Sequence, residues 1–287
     1  MDSKKPARPI KPSVSASILA AVRNRKKRPT GVTRVVRNDL LIASYNVHKC
    51  VGIDKKFDPD RIAHVISEIG ADVIAIQEAD KRFGERTGLL DLARLQRENS
   101  LVPVPVTSLY PKGHGWHGNL LLFREGVVRH VQQLVLPGLE PRGALVVDID
   151  LVAGPLRIIA AHFGLLRHSR QQQSEAILRA VNADPSRPTL LMGDLNEWRV
   201  GKGSSLHFLS PVFDPVQNAV PSFPSRFPVL ALDRVLGHPH NLVSSIEVHD
   251  TPLARVASDH LPIKAYVDLK SAVAEAGFVK DRVSLAR

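Results

Sequence analysis

The six residues GDLNEW, at positions 193–198, place side chains capable of chemistry directly after an apolar run. Residues 189–192 form that run, and their pattern predicts a buried strand. Where the strand ends, Asp194 offers a proton acceptor and Asn196 offers both an acceptor and N–H donors. A single Asp or Asn in such a place is most often a turn former that bonds its own backbone. This motif therefore indicates a functional site only if other strands end in similar polar residues.

Five more apolar runs begin or end at polar residues of the same kind, namely Asn46, Glu78, His162, Asp233 and the pair Asp259-His260. If the sheets bring these strand ends together, four carboxylates share one pocket. Such a pocket requires a cation or a proton shift. Cys50 is the only cysteine, so a thiolate zinc site is excluded and oxygen ligands favour Mg²⁺ or Mn²⁺. This chemistry is typical of phosphoryl transfer to water.

The polar residues belong to seven short motifs, namely Tyr45-Asn46, Ile76-Gln77-Glu78, Gly118-Asn119, Ala161-His162-Phe163, Gly193-Asp194-Leu195-Asn196, Leu232-Asp233 and Ser258-Asp259-His260. In order and spacing these motifs resemble the signature of the endonuclease/exonuclease/phosphatase superfamily, which includes deoxyribonuclease I. None is specific alone, but together they span residues 38–269. The resemblance implies an α/β fold of the deoxyribonuclease I-like type, a four-layer α/β/β/α sandwich with two mixed sheets.

The resemblance also implies a role for each group of residues. Glu78 is the expected main ligand of Mg²⁺ or Mn²⁺, with Asn46 beside it and Asp259 as a second carboxylate. The expected catalytic residues are His162, Asp194, Asn196, Asp233 and His260. Asp194 and Asn196 would orient the attacking water and the phosphate, and Asp233 would orient His260. His260 would act as a general base or bind the phosphate, and His162 would protonate the leaving oxygen.

Four further residues are candidates for contact with the substrate phosphate, namely His48, Lys49, Asn119 and Arg142. Arg142 precedes a predicted strand and could fork onto a phosphate, although a surface turn arginine is an equal alternative. His48 and Lys49 follow Asn46 closely enough to line the same pocket.

The elements that must position these residues are strands in adjacent pairs and strands separated by helices, which argues for mixed α/β layering. Predicted strands cover residues 40–45, 72–77, 119–124, 127–136, 144–151, 156–162, 189–192, 230–236 and 262–269. Asp58 and Pro59 predict a helix start and Gly70 its end. Further helices are expected over residues 89–98 and 169–182, and a turn at Gly154-Pro155.

The net charge of +11 is concentrated at one end of the chain. Residues 1–37 hold eleven basic side chains and one acidic one, whereas residues 38–287 hold 28 and 27. We expect a basic, disordered leader over 1–37, a catalytic domain over 38–269 and a helical tail over 270–287. The leader could be a solvated extension, or could contact nucleic acid or an anionic membrane.

The sequence thus predicts a divalent-metal-dependent phosphodiester hydrolase, most simply a nuclease that cleaves nucleic acid backbones. Hydrolysis of a phospholipid or small phosphate ester, and a catalytically silent binding scaffold, are the alternatives. The neutral body and the 5% aromatic content argue against a dedicated DNA-repair enzyme. No stretch approaches the roughly 20 apolar residues of a membrane span, and the single cysteine favours a reducing, cytoplasmic location.

Overall fold

The computed structural model describes residues 39–269, except 83, 108–109, 111, 200 and 214–218. The predicted leader 1–37 and the predicted helical tail 270–287 lie outside the described residues. Within the described part of the chain, none of the helices has the length and apolar character that a membrane crossing requires.

The described residues form eleven strands and four α-helices, numbered here in chain order. The strands are β1 (Leu40–Asn46), β2 (Val73–Gln77), β3 (Val102–Pro103), β4 (Leu120–Phe123), β5 (Val127–Leu136), β6 (Arg142–Leu151), β7 (Gly154–His162), β8 (Thr189–Asp194), β9 (Asp233–His238), β10 (Val243–Val248) and β11 (Ile263–Val267). The helices are α1 (Pro59–Ile69), α2 (Leu92–Asn99), α3 (Arg167–Ala183) and α4 (Ala254–Ala257).

The strands form two sheets, and both are mixed. The first has the order β10-β11-β1-β2-β4-β3 and the second has the order β5-β6-β7-β8-β9. Strands β1 and β2 are parallel, as are β7 and β8, and the other pairs are antiparallel. The prediction of two mixed sheets in an α/β fold is confirmed.

Both faces of each sheet are covered, and this explains the continuous apolar runs in the sequence. In β8, Leu190 and Met192 pack into the core between the two sheets, whereas Leu191 packs with Ile177 of α3 on the outer face. On the first sheet, Ile74 of β2 packs on its outer face against a cluster that includes residues of α1 and α2. The order of layers is therefore helix, sheet, sheet, helix.

The predicted helix signals act as expected at α1. The Asp58 side chain accepts a hydrogen bond from the Arg61 N–H at 2.9 Å, and Gly70 ends the helix with a φ of 64°. Other boundaries needed correction. Gly154 and Pro155 begin β7 rather than forming the turn, which falls at residues 152–153, and α2 begins at Leu92 rather than 89. The strands β3 and β10 were not predicted.

Strand register brings the predicted polar residues to matching positions. Asn46 is level with Gln77 where the parallel strands β1 and β2 end. In the second sheet, His162 pairs with Asp194, which pairs with Asp233 across β7, β8 and β9. The carboxyl ends of two parallel pairs, one from each sheet, thus carry polar residues that the sequence placed at strand ends.

Candidate active site

Asp194 lies at the centre of the site, where the two sheets meet. Its Oδ2 accepts a hydrogen bond of 2.9 Å from Asn46 Nδ2 on the other sheet, and its Oδ1 accepts one of 3.0 Å from the Asn196 N–H. His162 Nε2 and His260 Nε2 lie 3.5 and 3.7 Å from the same Oδ2. Burial raises the pKa of Asp194 to about 6, against the opposing charge of His260 and these hydrogen bonds. Asp194 can therefore take up a proton near neutral pH.

His260 is held between two carboxylates. Its Nδ1 donates to Asp233 Oδ2 at 2.8 Å, while its Nε2 faces Asp194. Burial disfavours the charged imidazole, but the charges of Asp233 and Asp194 outweigh burial and raise the pKa of His260 to about 10. The imidazole is therefore a cation at neutral pH, and its orientation is set by Asp233, which also accepts a hydrogen bond from Ser222 Oγ.

His162 has the opposite protonation behaviour. It is buried, and burial, followed by the charges of Arg142 and His260, holds its pKa well below the ordinary histidine value. The Arg142 guanidinium donates to His162 Nδ1 at 2.9 Å, which leaves the ring proton on Nε2, facing Asp194. His162 is therefore a neutral hydrogen-bond donor whose tautomer is fixed by Arg142.

Glu78 follows β2, and its carboxylate lines a small cavity together with Lys49, Arg142 and His162. Lys49 Nζ lies 2.9 Å from Glu78 Oε2. Burial opposes ionisation of Glu78, but the hydrogen bond and charge of Lys49 lower its pKa below the ordinary value. Glu78 is therefore an ionised carboxylate that already attracts a positive charge.

The backbone around this carboxylate adopts left-handed conformations, which residues other than glycine rarely adopt. His48, Lys49 and Cys50 form a short 3-10 turn with φ values of 45°, 55° and 58°, and Glu78 itself has a φ of 57°. Each such residue costs on the order of 1–2 kcal/mol. Non-glycine residues in this region cluster at functional sites. The turn places Lys49 on Glu78.

Asp259 and Asn46 lie against the same turn. His48 Nδ1 is 3.6 Å from Asp259 Oδ1 and 3.0 Å from the Val51 carbonyl, while the Asn46 Oδ1 accepts the His48 N–H at 3.0 Å. The turn thus contacts both Glu78 and Asp259. The carboxylates of Glu78 and Asp259 and the carboxamide of Asn46 offer oxygen atoms, the ligand type that suits a hard divalent cation.

A second acidic group lies deeper in the site. Ligand atoms of Asp194, Asp233 and His260 lie within 4.8 Å of one another, and all three side chains are buried. The His260 imidazole lies between the two carboxylates. Because its pKa is raised, the imidazole is protonated, and its positive charge compensates the carboxylates. Glu78, by contrast, is partly exposed and pairs with the partly exposed side chain of Lys49.

Two asparagines predicted to donate to the phosphate already donate hydrogen bonds to backbone carbonyls, Asn119 with both of its N–H groups and Asn196 with one. Asn119 is fully buried, and its Nδ2 donates to the Trp116 and Gly143 carbonyls at 3.1 and 2.9 Å, so no N–H remains for a phosphate. Asn119 instead fixes the loop before β4 to β6. Asn196 Nδ2 donates once, to the Phe163 carbonyl at 2.9 Å, which leaves one N–H.

Sequence reasoning assigned no role to Glu197, which supports the loop after β8. Glu197 is fully buried, and its Oε2 accepts from the Ser205 N–H and hydroxyl at 2.8 and 2.5 Å and from Arg170 at 3.3 Å. Arg170 is also buried, on α3. A charged residue directly after Asn196 in a buried motif was the available signal for a structural anchor.

Comparison with known families gives one match that covers most of the chain. The sequence model of the Endonuclease/Exonuclease/phosphatase family matches residues 43–260. This range contains every residue of the candidate site. Among curated proteins, none matches the chain.

Several solved structures share this fold at low sequence identity. An endonuclease/exonuclease/phosphatase from Beutenbergia cavernae is 23% identical, with a TM-score of 0.62 over 82% of this chain and 73% of that one. TDP2 from D. rerio, solved with a single-strand DNA product, is 14% identical, with a TM-score of 0.60 over 80% and 99%. A Bacteroides thetaiotaomicron mannosyl-6-phosphatase is 16% identical, with a TM-score of 0.59 over 79% and 98%. At these identities the likeness shows the fold.

Proposed function

The chain belongs to the endonuclease/exonuclease/phosphatase family, and from that premise we propose that it is a divalent-metal-dependent phosphodiesterase that cleaves nucleic acid backbones. One observation carries the proposal. The Asp194 carboxylate, on the second sheet, accepts a hydrogen bond from Asn46 of the first sheet and faces both His162 and His260. A proton acceptor, a neutral donor and a buried cation thus surround one point, as hydrolysis of a phosphodiester requires.

Glu78, Asp259 and Asn46 would hold the divalent cation, Mg²⁺ or Mn²⁺. When bound, the cation would neutralise phosphate oxygens and stabilise the departing alkoxide. The fit rests on the oxygen donors and on the ionised, partly exposed Glu78, which attracts the Lys49 ammonium. With the cation bound, Lys49 would be free to contact the substrate phosphate.

Three side chains would divide the proton chemistry. Asp194, whose pKa of about 6 lies near neutrality, would accept the proton of the attacking water. The His260 cation, oriented by Asp233, would bind a phosphoryl oxygen and stabilise the growing negative charge. His162 would donate a hydrogen bond from Nε2 to the phosphate or leaving oxygen, and Arg142 would hold that tautomer.

A nucleic acid substrate is favoured by the charged surroundings of the site. Arg82, Arg86 and Asp80 line the cavity that contains Glu78, and such groups suit a polar, anionic substrate better than an acyl chain. A phospholipid or small phosphate ester is the alternative that the experiment below separates.

The test is a substrate panel with matched variants. Plasmid DNA, a single-stranded oligonucleotide, anionic phospholipid vesicles and a sugar phosphate are each incubated with the protein in Mg²⁺ and in chelator. We expect Mg²⁺-dependent cleavage of nucleic acid, reduced about 10²–10⁴-fold by Asp194→Ala and unaffected by Asp60→Ala, which removes an exposed carboxylate. Turnover of lipid or sugar phosphate alone would overturn the nuclease proposal, and full activity of the Asp194 variant would overturn the assigned site.

The remaining proposals concern the whole chain. We assign the catalytic domain to residues 38–269, because the family match at 43–260 lies inside that range. Contact of the basic leader with nucleic acid or an anionic membrane, and a reducing cytoplasmic location, stay predictions from the sequence. Burial raises the pKa of the single cysteine, Cys50, to about 12, so this thiol is unreactive.

A further inference from the structure

A second cavity of about 320 Å³ opens beside the catalytic centre. Described residues of the loop between β2 and α2 and of the loop between β3 and β4 form most of it. Its wall includes Arg82, Arg86, Tyr110, His114, Trp116 and His117. Arg82, Arg86 and His117 also line the small cavity that contains Glu78 and His162, so the two cavities share a wall. The volume lies within the range of small-molecule sites.

The ring side chains of this cavity are held in place. Trp116 Nε1 donates to the Leu134 carbonyl at 2.8 Å, and its ring meets His117 edge to face at 4.8 Å between centroids. Two glycines permit this packing. A Cβ at Gly143 would lie 2.7 Å from Trp116 Cδ1, and one at Gly88 would lie 2.0 Å from the His114 ring. The cavity is therefore a preformed feature of the fold.

The chemistry of the wall combines flat rings with charge. Trp116 and Tyr110 supply two aromatic side chains to the wall, and His114 and His117 supply two imidazole rings. Arg86 forms a two-bond ion pair with the buried Asp80 carboxylate, at 2.8 and 3.1 Å. Such a wall can stack on a flat ring, whereas an acyl chain would remove water from its charged groups without replacing the lost hydrogen bonds.

We propose that this cavity binds a nucleobase of the nucleotide next to the scissile phosphate. The inference rests on the proposed nuclease function and names the part of the substrate that gives affinity. With the phosphate at Glu78 and His162, the adjoining nucleoside reaches the cavity across the shared wall. The aromatic rings stack on the base, and Arg82 lies beside the sugar-phosphate chain.

The experiment compares three dinucleotide substrates. Thymidylyl-thymidine is cleaved alongside two analogues, each with one base replaced by a hydrogen on a tetrahydrofuran sugar. Stacking contributes about 1–3 kcal/mol per base, so we expect one analogue to have a KM about 5- to 100-fold higher. Trp116→Ala or Tyr110→Ala should raise the KM of the full dinucleotide toward that value and leave the KM of that analogue unchanged.

Controls separate binding from folding and from the wider function. Phe208→Ala removes a partly exposed aromatic side chain that lines neither cavity, and it should change no KM. Tyr110 is exposed, so its variant keeps the test valid if the Trp116 variant fails to fold. Equal KM values for all three substrates would overturn the nucleobase subsite alone. Hydrolysis of bis(4-nitrophenyl) phosphate without cleavage of any dinucleotide, oligonucleotide or plasmid would overturn the nuclease proposal as well.

Discussion

Replacing Glu197 with Ala should destabilise the protein far more than the loss of an ordinary ion pair. Glu197 is fully buried and accepts hydrogen bonds from Arg170, the Ser205 N–H and hydroxyl, and the Arg199 N–H. The substitution leaves the Arg170 cation without its carboxylate inside the protein, and the Ser205 and Arg199 N–H groups without their acceptors.

The magnitude follows from the cost of an unpaired buried charge. Removing one partner of a buried ion pair costs about 3–5 kcal/mol. For a chain of this size, 1 kcal/mol corresponds to about 2–4 °C in Tm, so Glu197→Ala should lower Tm by roughly 6–20 °C. Urea unfolding followed by circular dichroism measures the free energy directly.

Asp60→Ala provides the matched control. Asp60 Oδ1 also pairs with an arginine, Arg94, at 2.7 Å, but its side chain is 74% exposed. Exposed pairs contribute at most about 1 kcal/mol, so this variant should remain close to the unsubstituted protein. Equal loss of stability in the two variants would refute the assignment of Glu197 as a buried anchor.

The stabilising effect of Glu197 should also depend on pH. Burial opposes ionisation of Glu197, but the Ser205 hydrogen bonds, followed by the Arg199 N–H and the Arg170 charge, lower its pKa below the ordinary glutamate value. The carboxylate therefore stabilises the fold fully above the ordinary pKa, and this contribution is lost as the pH falls through the lower pKa of the folded state. The difference between the unsubstituted protein and the Ala variant should shrink over that acidic range.

Two further predictions concern the active site. Asp233→Asn should lower kcat about 10²–10⁴-fold. Because the Asp233 charge raises the pKa of His260, the substitution should also move the alkaline limb of the pH–rate profile below pH 10. An unchanged pH–rate profile would contradict this role of Asp233. Lys49→Met should lower the Kd for Mg²⁺ by up to about 5-fold in calorimetry, because the Lys49 ammonium competes with the ion for Glu78. Lys56→Met should leave the Kd for Mg²⁺ unchanged. Equal Kd values for the two variants would contradict the competition.

The sequence predicted the parts of the site that depend on strand ends. Polar residues after apolar runs mark the edge of a sheet, and parallel strands bring such edges together. This reasoning placed Asn46, His162 and Asp194 correctly at strand ends, and register then joined His162 to Asp194 and Asp233. The order of the motifs predicted the family and the two mixed sheets.

Features that depend on the positions of individual atoms could not be predicted in this way. The left-handed turn at His48–Cys50 contains no glycine that would mark it, so only the structure shows how Lys49 meets Glu78. The hydrogen bond from Arg142 to His162 joins the first residue of β6 to the last residue of β7. For Asn119, the sequence gives the residue type but not the two carbonyls that occupy its donors.

Anomalous diffraction from a crystal grown with Mn²⁺ and thymidine monophosphate would locate the divalent ion relative to the phosphate. In the proposed site, one divalent ion binds at Glu78 on the first sheet, while Asp194 and the two histidines face the phosphate from the second. We predict an anomalous peak at the Glu78 carboxylate, with the phosphate between that peak and His260. A peak enclosed by Asp194, Asp233 and His260, with none at Glu78, would contradict the account.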